Sequence, residues 1–310
     1  MIQNPPPWPH GARCAVAITW DLDADSGLNY YNPDRADTLV ASQTLTRYGP
    51  RIAVPRLLEL GRRLVLRQTF FVPGWCIERY SEVIDSIAEH GHEVALHGYL
   101  HERPNEQSRD DERYWLERAI TAYRHHFDRL PVGWRAPSFA FSKHSLRFLI
   151  DAGIEYDASL MGDDVPCLLR SGDDTLVELP TQWALDDWPH YMHSPDFNYT
   201  MPISAPQRAL EVYRAEFDAA WEFGGVWISV WHPFLSGRPA RLAAIVELIE
   251  YMREKGGVWF ATTSEICAHV KRLIETGQWK PRVEVLPAYE SPIPELSGPP
   301  RTRRTGAGER

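Results

Sequence analysis

Short apolar and β-branched runs alternate along this chain with longer stretches of helical period. The runs at 14–20 (CAVAITW), 68–72 (QTFFV), 92–96 (HEVAL), 132–134 (VGW), 154–158 (IEYDA), 176–179 (LVEL), 226–231 (VWISVW) and 258–261 (VWFA) predict strands. Between the last pairs of strands the period changes. Leu210, Tyr213, Phe217 and Trp221 recur at helical intervals over 205–223, with Ser204 placed to cap the start and Gly224-Gly225 to end it. Leu242, Ile245, Ile249 and Met252 share one face of the next helix, which Gly256-Gly257 close. Strands separated by helices predict an α/β fold whose parallel strands are joined by helical crossovers, leaving a barrel or a doubly wound sheet open.

Two long stretches lack either period: 24–35 (ADSGLNYYNPDR) and 184–205 (ALDDWPHYMHSPDFNYTMPISA). Loops of this length in a compact domain are functional or disordered. The second is rich in aromatic residues and is expected to pack, with His190 and His193 as ordinary loop histidines. After residue 277 the prolines multiply and the chain ends in PRTRRTGAGER. Residues 1–277 are therefore expected to form a single domain and 278–310 a mobile Pro/Arg-rich tail. No repeat of 20 to 50 residues is visible, which excludes solenoids and propellers.

Composition narrows the partners. The 310 residues carry 33 Lys plus Arg against 42 Asp plus Glu, a net charge of −9, which excludes a predominantly basic nucleic-acid-binding surface. No run approaches the roughly 18 apolar residues of a membrane-spanning helix. The start, Met1-Ile2-Gln3-Asn4-Pro5-Pro6-Pro7, has no basic segment and no apolar helix, so a cytoplasmic setting is expected. Cys14, Cys76, Cys167 and Cys267 are scattered without C-x-x-C spacing and read as reduced packing residues.

The candidate chemistry gathers where strands end. His97-Gly98-Tyr99-Leu100-His101 follows the strand HEVAL, and two histidines at i and i+4 on a helical turn point the same way, the start of a zinc-type site. Asp21 and Asp23 close CAVAITW, at i and i+2, so both carboxylates share one face. Arg135 follows VGW, Asp186 follows LVELPTQW, and His232 follows VWISVW. In α/β barrels and sheets, the carboxyl ends of parallel strands open onto one face where reactive groups collect. Five strands each delivering a carboxylate, imidazole or guanidinium to one rim suit metal-assisted hydrolysis: two His and one Asp around an ion, a spare carboxylate as base, a further histidine as acid. Glu102 is expected to support the metal ligands from behind.

With these residues in place, the chain resembles the polysaccharide deacetylase family (carbohydrate esterase family 4) over about residues 10–272. The family's H-[ST]-x-x-H motif is similar to His97-Gly98-Tyr99-Leu100-His101, its R-x-P to Arg135-Ala136-Pro137, and its late L-x-x-H segment to Ile228-Ser229-Val230-Trp231-His232, with Ile228 in place of leucine. Its T-F-D-D resembles Thr19-Trp20-Asp21-Leu22-Asp23, with Leu22 inserted between the aspartates. The split aspartates, Gly98, and Glu102 after the second histidine resemble a subgroup holding allantoinase-like and cyclic-imide-hydrolase-like enzymes and peptidoglycan deacetylase-like proteins.

The resemblance implies a distorted (β/α) barrel of about seven parallel strands with a metal site at the C-terminal rim. It implies one divalent metal ion, expected to be zinc, held by Asp23, His97 and His101, with Asp21 as base, His232 as acid and Arg135 orienting Asp21. The reaction implied is hydrolysis of a non-peptide C–N bond. A small cyclic imide, ureide or soluble N-acylated metabolite is the expected substrate, bound by Tyr30, Tyr31, Trp188, Tyr191 and Asp186. An N-acetylated polysaccharide such as peptidoglycan is the alternative, and an inactive sugar- or partner-binding module is a third reading. Neither nucleic acid nor membrane is an expected partner; self-association is left open.

Overall fold

A computed structural model describes residues 2–288. Among them eleven strands form: β1 (Cys14–Ala17), β2 (Thr19–Asp21), β3 (Thr69–Val72), β4 (Glu93–Leu96), β5 (Gly133–Trp134), β6 (Tyr156–Asp157), β7 (Cys167–Ser171), β8 (Asp174–Glu178), β9 (Val226–Ile228), β10 (Val258–Phe260) and β11 (Val283–Val285). The run at 14–20 is one strand direction interrupted at Ile18, and the break gives it two sets of neighbours. β1 lies between β9 and β10, whereas β2 pairs with β3. From β2 a parallel ladder continues through β3, β4, β5 and β6 to β8. Isolated parallel bridges complete the circuit, Asp186 to Val230 and Trp20 to Trp231. With β1 and β2 counted as one broken strand, eight parallel strands thus curl into a distorted (β/α) barrel, one more than expected, whose ladder is interrupted between β8 and β9.

The strands read as unbroken apolar runs because both faces are covered: β1, β2 and β3 are buried at every position. Trp20, Trp227 and Trp231 are fully buried, with the first and last 5.5 Å apart between ring centroids. Outer helices start and stop on local chemistry. Ser108 caps Arg109–Phe127 by accepting from the Asp111 N–H, and Thr262 with Glu265 forms a capping box at Thr263–Glu275. Helix Pro206–Phe223 ends at Gly224, whose φ of 84° suits glycine. Its start differs from expectation: Ala205 occupies the cap position and Pro206 opens the helix, its missing N–H costing nothing in the first turn.

Two strands lie outside the predicted set. β7 pairs with β8 as an antiparallel hairpin turned at Gly172, and β11 pairs in parallel with β7. β11 falls within the segment expected to be a mobile tail, so residues 278–288 pack on the body. Trp279 is 7% exposed and donates its indole N–H to the Asn4 carbonyl at 3.1 Å, while Arg282 Nε meets Asp163 at 2.7 Å. The rest of the expected tail, 289–310, lies outside the described residues. Ending the chain after residue 277 is expected to cost about 3 kcal/mol, the scale for losing a buried tryptophan. A thermal midpoint equal to that of the full chain would show that β11 and Trp279 contribute nothing.

Candidate active site at the strand ends

Asp21 is the last residue of β2, and Asp23 follows two positions on. His97 comes directly after β4, Arg135 directly after β5, and His232 four residues after β9. Parallel registration brings these ends to one rim, and all five side chains are at most 8% exposed. His97 Nε2 lies 3.4 Å from Asp23 Oδ1, and His101 Nε2 lies 3.4 Å from Asp23 Oδ2.

These separations test whether a metal fits. Donors about 2.0 to 2.1 Å from one ion at tetrahedral angles stand about 3.3 Å apart, which matches both. Asp23 Oδ1 is buried without a hydrogen-bond partner, an orphan that a cation would satisfy. The His97 Nδ1–H donates to the Arg135 carbonyl at 2.9 Å, which leaves the Nε2 lone pair facing Asp23. Burial pushes His97 down to about 4 and His101 well below the ordinary histidine range, so both are neutral donors at neutral pH. Burial also lifts Asp23 to about 8 against the pull of His232, the signature of a carboxylate short of positive charge. Asp23, His97 and His101 therefore fit a divalent ion.

The loop bearing the histidines is built differently from the helical turn expected. Gly98 and His101 have φ of 70° and 64°. A Cβ at Gly98 would stand 2.9 Å from both Glu102 Oε1 and Pro137 Cγ, so the position requires glycine on two counts. Glu102 is not a ligand: its carboxylate accepts from the Tyr99 and Leu100 N–H groups at 2.9 and 2.6 Å and ties the loop into its turn. Five residues with left-handed backbone, Ala24, His101, Ser138, Phe139 and Asn198, line the same cavity, concentrating strain there.

On one side of the triad, Arg135 Nη1 donates to Asp21 Oδ1 at 2.6 Å and to Thr19 Oγ1 at 2.9 Å. The guanidinium is fully buried, 3.9 Å over the Phe71 ring. Burial works to raise the Asp21 pKa, but Arg135 and the neighbouring histidines hold it below the usual carboxylate range. Asp21 is thus ionised and able to take a proton.

On the other side, His232 Nε2 is 3.5 Å from Asp23 Oδ2, and its Nδ1 is 2.6 Å from Asp187 Oδ1. Asp187 was not among the residues expected from the sequence. The backbone is extended at Asp186, so the adjacent side chains face opposite ways: Asp186 lines the cavity and Asp187 lies fully buried behind His232. Asp187 Oδ2 also accepts from the His232 N–H at 3.0 Å and from the Ser236 hydroxyl, so this carboxylate is committed to His232. Burial alone would lower His232, yet Asp187, with Asp23 and Asp186, raises it to about 10. A protonated His232 at neutral pH suits a proton donor. Asp187→Asn is expected to move the alkaline limb of the pH–rate profile to lower pH, because activity that needs protonated His232 is lost as pH rises through its pKa. An unmoved limb would detach Asp187 from this role.

The cavity holds about 890 Å³. Tyr31, Trp188 and Asp186 line it, joined by Phe139, Phe197 and Tyr199. Tyr30 and Tyr191 do not, correcting the expected set. Consecutive residues on the helix Ser26–Tyr31 point about 100° apart, so Tyr31 faces the cavity while the Tyr30 hydroxyl accepts from Gln107. Tyr191 is 4% exposed in the core, with the Arg241 guanidinium 4.3 Å over its ring. The loop 184–205 is both packed and a wall of the site: the Trp188 ring lies 5.3 Å from His232.

The relatives of this barrel place it among hydrolases acting on carbon–nitrogen bonds. The polysaccharide deacetylase family model matches residues 48–156. A peptidoglycan deacetylase of Helicobacter pylori is 32% identical over 285 residues, spanning 81% of this chain and 94% of that one. The crystal structure of a Mycobacterium smegmatis protein assigned to the polysaccharide deacetylases superposes with a TM-score of 0.85 at 42% identity, covering 96% of this chain and 99% of that one. An allantoinase structure shares the fold at a TM-score of 0.78 and 23% identity, covering 90% and 96%. The chain belongs to the polysaccharide deacetylase family.

Proposed function

We propose that the protein hydrolyses a non-peptide amide or imide C–N bond with a divalent ion, zinc, held by Asp23, His97 and His101. The observation that carries this reading is the flanking of that triad by two oppositely prepared groups, Asp21 held ionised by Arg135 and His232 held protonated by Asp187. A bound divalent ion supplies Lewis acidity to the scissile carbonyl and acidifies the attacking water. Asp21 accepts the proton that the water gives up as it adds to the carbonyl carbon, with Arg135 fixing the carboxylate's direction. His232 then passes its proton to the departing nitrogen as the C–N bond breaks. The products are a carboxylic acid and an amine or amide, so atoms balance with one water consumed.

The substrate proposed is a small cyclic imide or ureide, which the aromatic walls of the cavity suit. A cavity of about 890 Å³ walled by Tyr31, Trp188, Phe197 and Tyr199 is of the size and character of small-molecule sites. A second reading, N-deacetylation of an amino sugar in peptidoglycan or a related polymer, is favoured by the Helicobacter pylori relative. Hydrolysis of succinimide, hydantoin, allantoin and N-acetylglucosamine oligomers, measured side by side on metal-loaded protein, separates the two. Turnover of the cyclic compounds alone supports the first, turnover of the oligomers alone replaces it with the second, and full metal loading without any turnover refutes both.

A further inference from the structure

Resting on the reading of Asp23, His97 and His101 as a metal triad, we infer that Asp25 is a positioning residue whose buried contacts with Arg47 and Tyr80 hold Asp23 facing the two histidines. Asp25 does not line the cavity and takes no part in the proposed chemistry. It is nonetheless 1% exposed, with both carboxylate oxygens engaged. Oδ2 accepts from Arg47 Nε at 2.8 Å, and Oδ1 accepts from the Tyr80 hydroxyl at 2.5 Å. A carboxylate is taken out of water at high cost unless it is paired and hydrogen-bonded, and Asp25 is both.

The backbone between Asp23 and Asp25 is strained. Ala24 has a φ of 46°, a left-handed conformation that is unfavourable for alanine and persists only where its surroundings fix it. Both sides are fixed. Before it, the Asp23 carbonyl accepts from the Ser26 N–H at 3.0 Å, the Ser26 hydroxyl at 2.7 Å and Cys76 Sγ at 3.1 Å. After it stands the Asp25 carboxylate. Without that anchor Ala24 is free to relax, and the rotation turns the Asp23 carboxylate away from His97 and His101.

The partners of Asp25 join it to the other two ligands. Tyr80 directly follows the helix Gly74–Arg79, in which the Gly74 and Trp75 N–H groups donate to the Gly98 and Tyr99 carbonyls, both at 2.9 Å. Those carbonyls belong to the loop between His97 and His101. A Cβ at Gly74 would stand 2.8 Å from Tyr99 Cδ2, so this helix is pressed against the histidine loop. Its other contacts, through Cys76 and Tyr80, reach the aspartate loop. One short helix thus sets the spacing of the two ligand loops, and Asp25 is where the aspartate loop is fastened to it. Arg47 adds a third element, the helix Val40–Tyr48, which packs on the short helix Pro233–Ser236 directly after His232.

The test is the zinc affinity of the full chain, measured by competition with a chelator. Asp25→Asn should weaken zinc binding about 10- to 100-fold, the range for groups that orient metal ligands. Arg47→Met separates positioning from charge. Removing a cation near the site would by Coulomb attraction alone tighten zinc, whereas loss of positioning weakens it, by about tenfold. Tyr80→Phe changes no charge and should also weaken binding, and Arg47→Lys should recover part of the Arg47→Met loss. Trp279→Ala, outside the cavity, controls for stability: it should lower the thermal midpoint and leave zinc affinity within about twofold. Unchanged affinity in Asp25→Asn and Tyr80→Phe, tighter binding in Arg47→Met, or an equal loss in Trp279→Ala would each overturn the inference. Failure of the metal reading looks different: zinc bound as tightly by His97→Ala as by the unaltered chain removes the triad, and its positioning with it.

Discussion

Asp21→Asn is expected to keep its metal and lose about 10²- to 10⁴-fold in turnover, the scale of general acid–base catalysis. The substitution leaves the side-chain shape and a carbonyl oxygen for Arg135 but removes the basic oxygen. Asp21 Oδ2 is 3.7 Å from His97 Nε2, farther than Asp23 Oδ1 at 3.4 Å, and Oδ1 is already engaged with Arg135 at 2.6 Å. Asp23 reaches both histidines, one with each oxygen, which is why ligation is assigned to it. Arg135 is fully buried, so loss of its counter-charge will also lower stability. Turnover is therefore to be compared per folded, metal-loaded molecule. Should Asp21→Asn strip the metal while Asp23→Ala retains it, the two roles must be exchanged.

His97→Ala is expected to abolish metal binding and activity together while the barrel stays folded, and His101→Ala to do the same. Each removes one of three protein donors around the proposed ion. His97 also gives up its hydrogen bond to the Arg135 carbonyl, so its loss reaches Asp21 through the β5 end; His101 has no comparable partner at Nδ1. Neither imidazole belongs to the apolar clusters that hold the barrel. Elemental analysis and circular dichroism on the two variants decide this: unchanged metal content in both would remove the triad, and loss of the fold would make the histidines structural.

Much of the site was legible because its residues announce themselves locally. Asp21, His97, Arg135 and His232 each follow an apolar run, and a parallel barrel places all such ends on one rim. Knowing that the runs are parallel strands is enough to gather these side chains. What stayed hidden is the direction in which neighbouring side chains point. Of Asp186 and Asp187, one lines the cavity and the other backs His232; of Tyr30 and Tyr31, one faces the cavity and the other does not. Adjacent residues of one chemistry are interchangeable in a sequence and separated only by backbone torsions.

The chain's own pattern of apolar runs and glycines determined the α/β class, the glycine-closed helix C-termini and the candidate rim, since these follow from short-range sterics and periodic burial. Tertiary structure alone decided the rest. The pairing of β11 with β7 joins segments more than 110 residues apart and turns an apparent tail into part of the body. The left-handed turn at Gly98 and His101 depends on Glu102 and Pro137 closing around it. The prepared charges of Asp21 and His232 depend on Arg135 and Asp187, which lie more than 100 and 40 residues away. Contacts of this kind have no local signature, because their energy is released only when the barrel has closed distant segments into one buried, low-dielectric space.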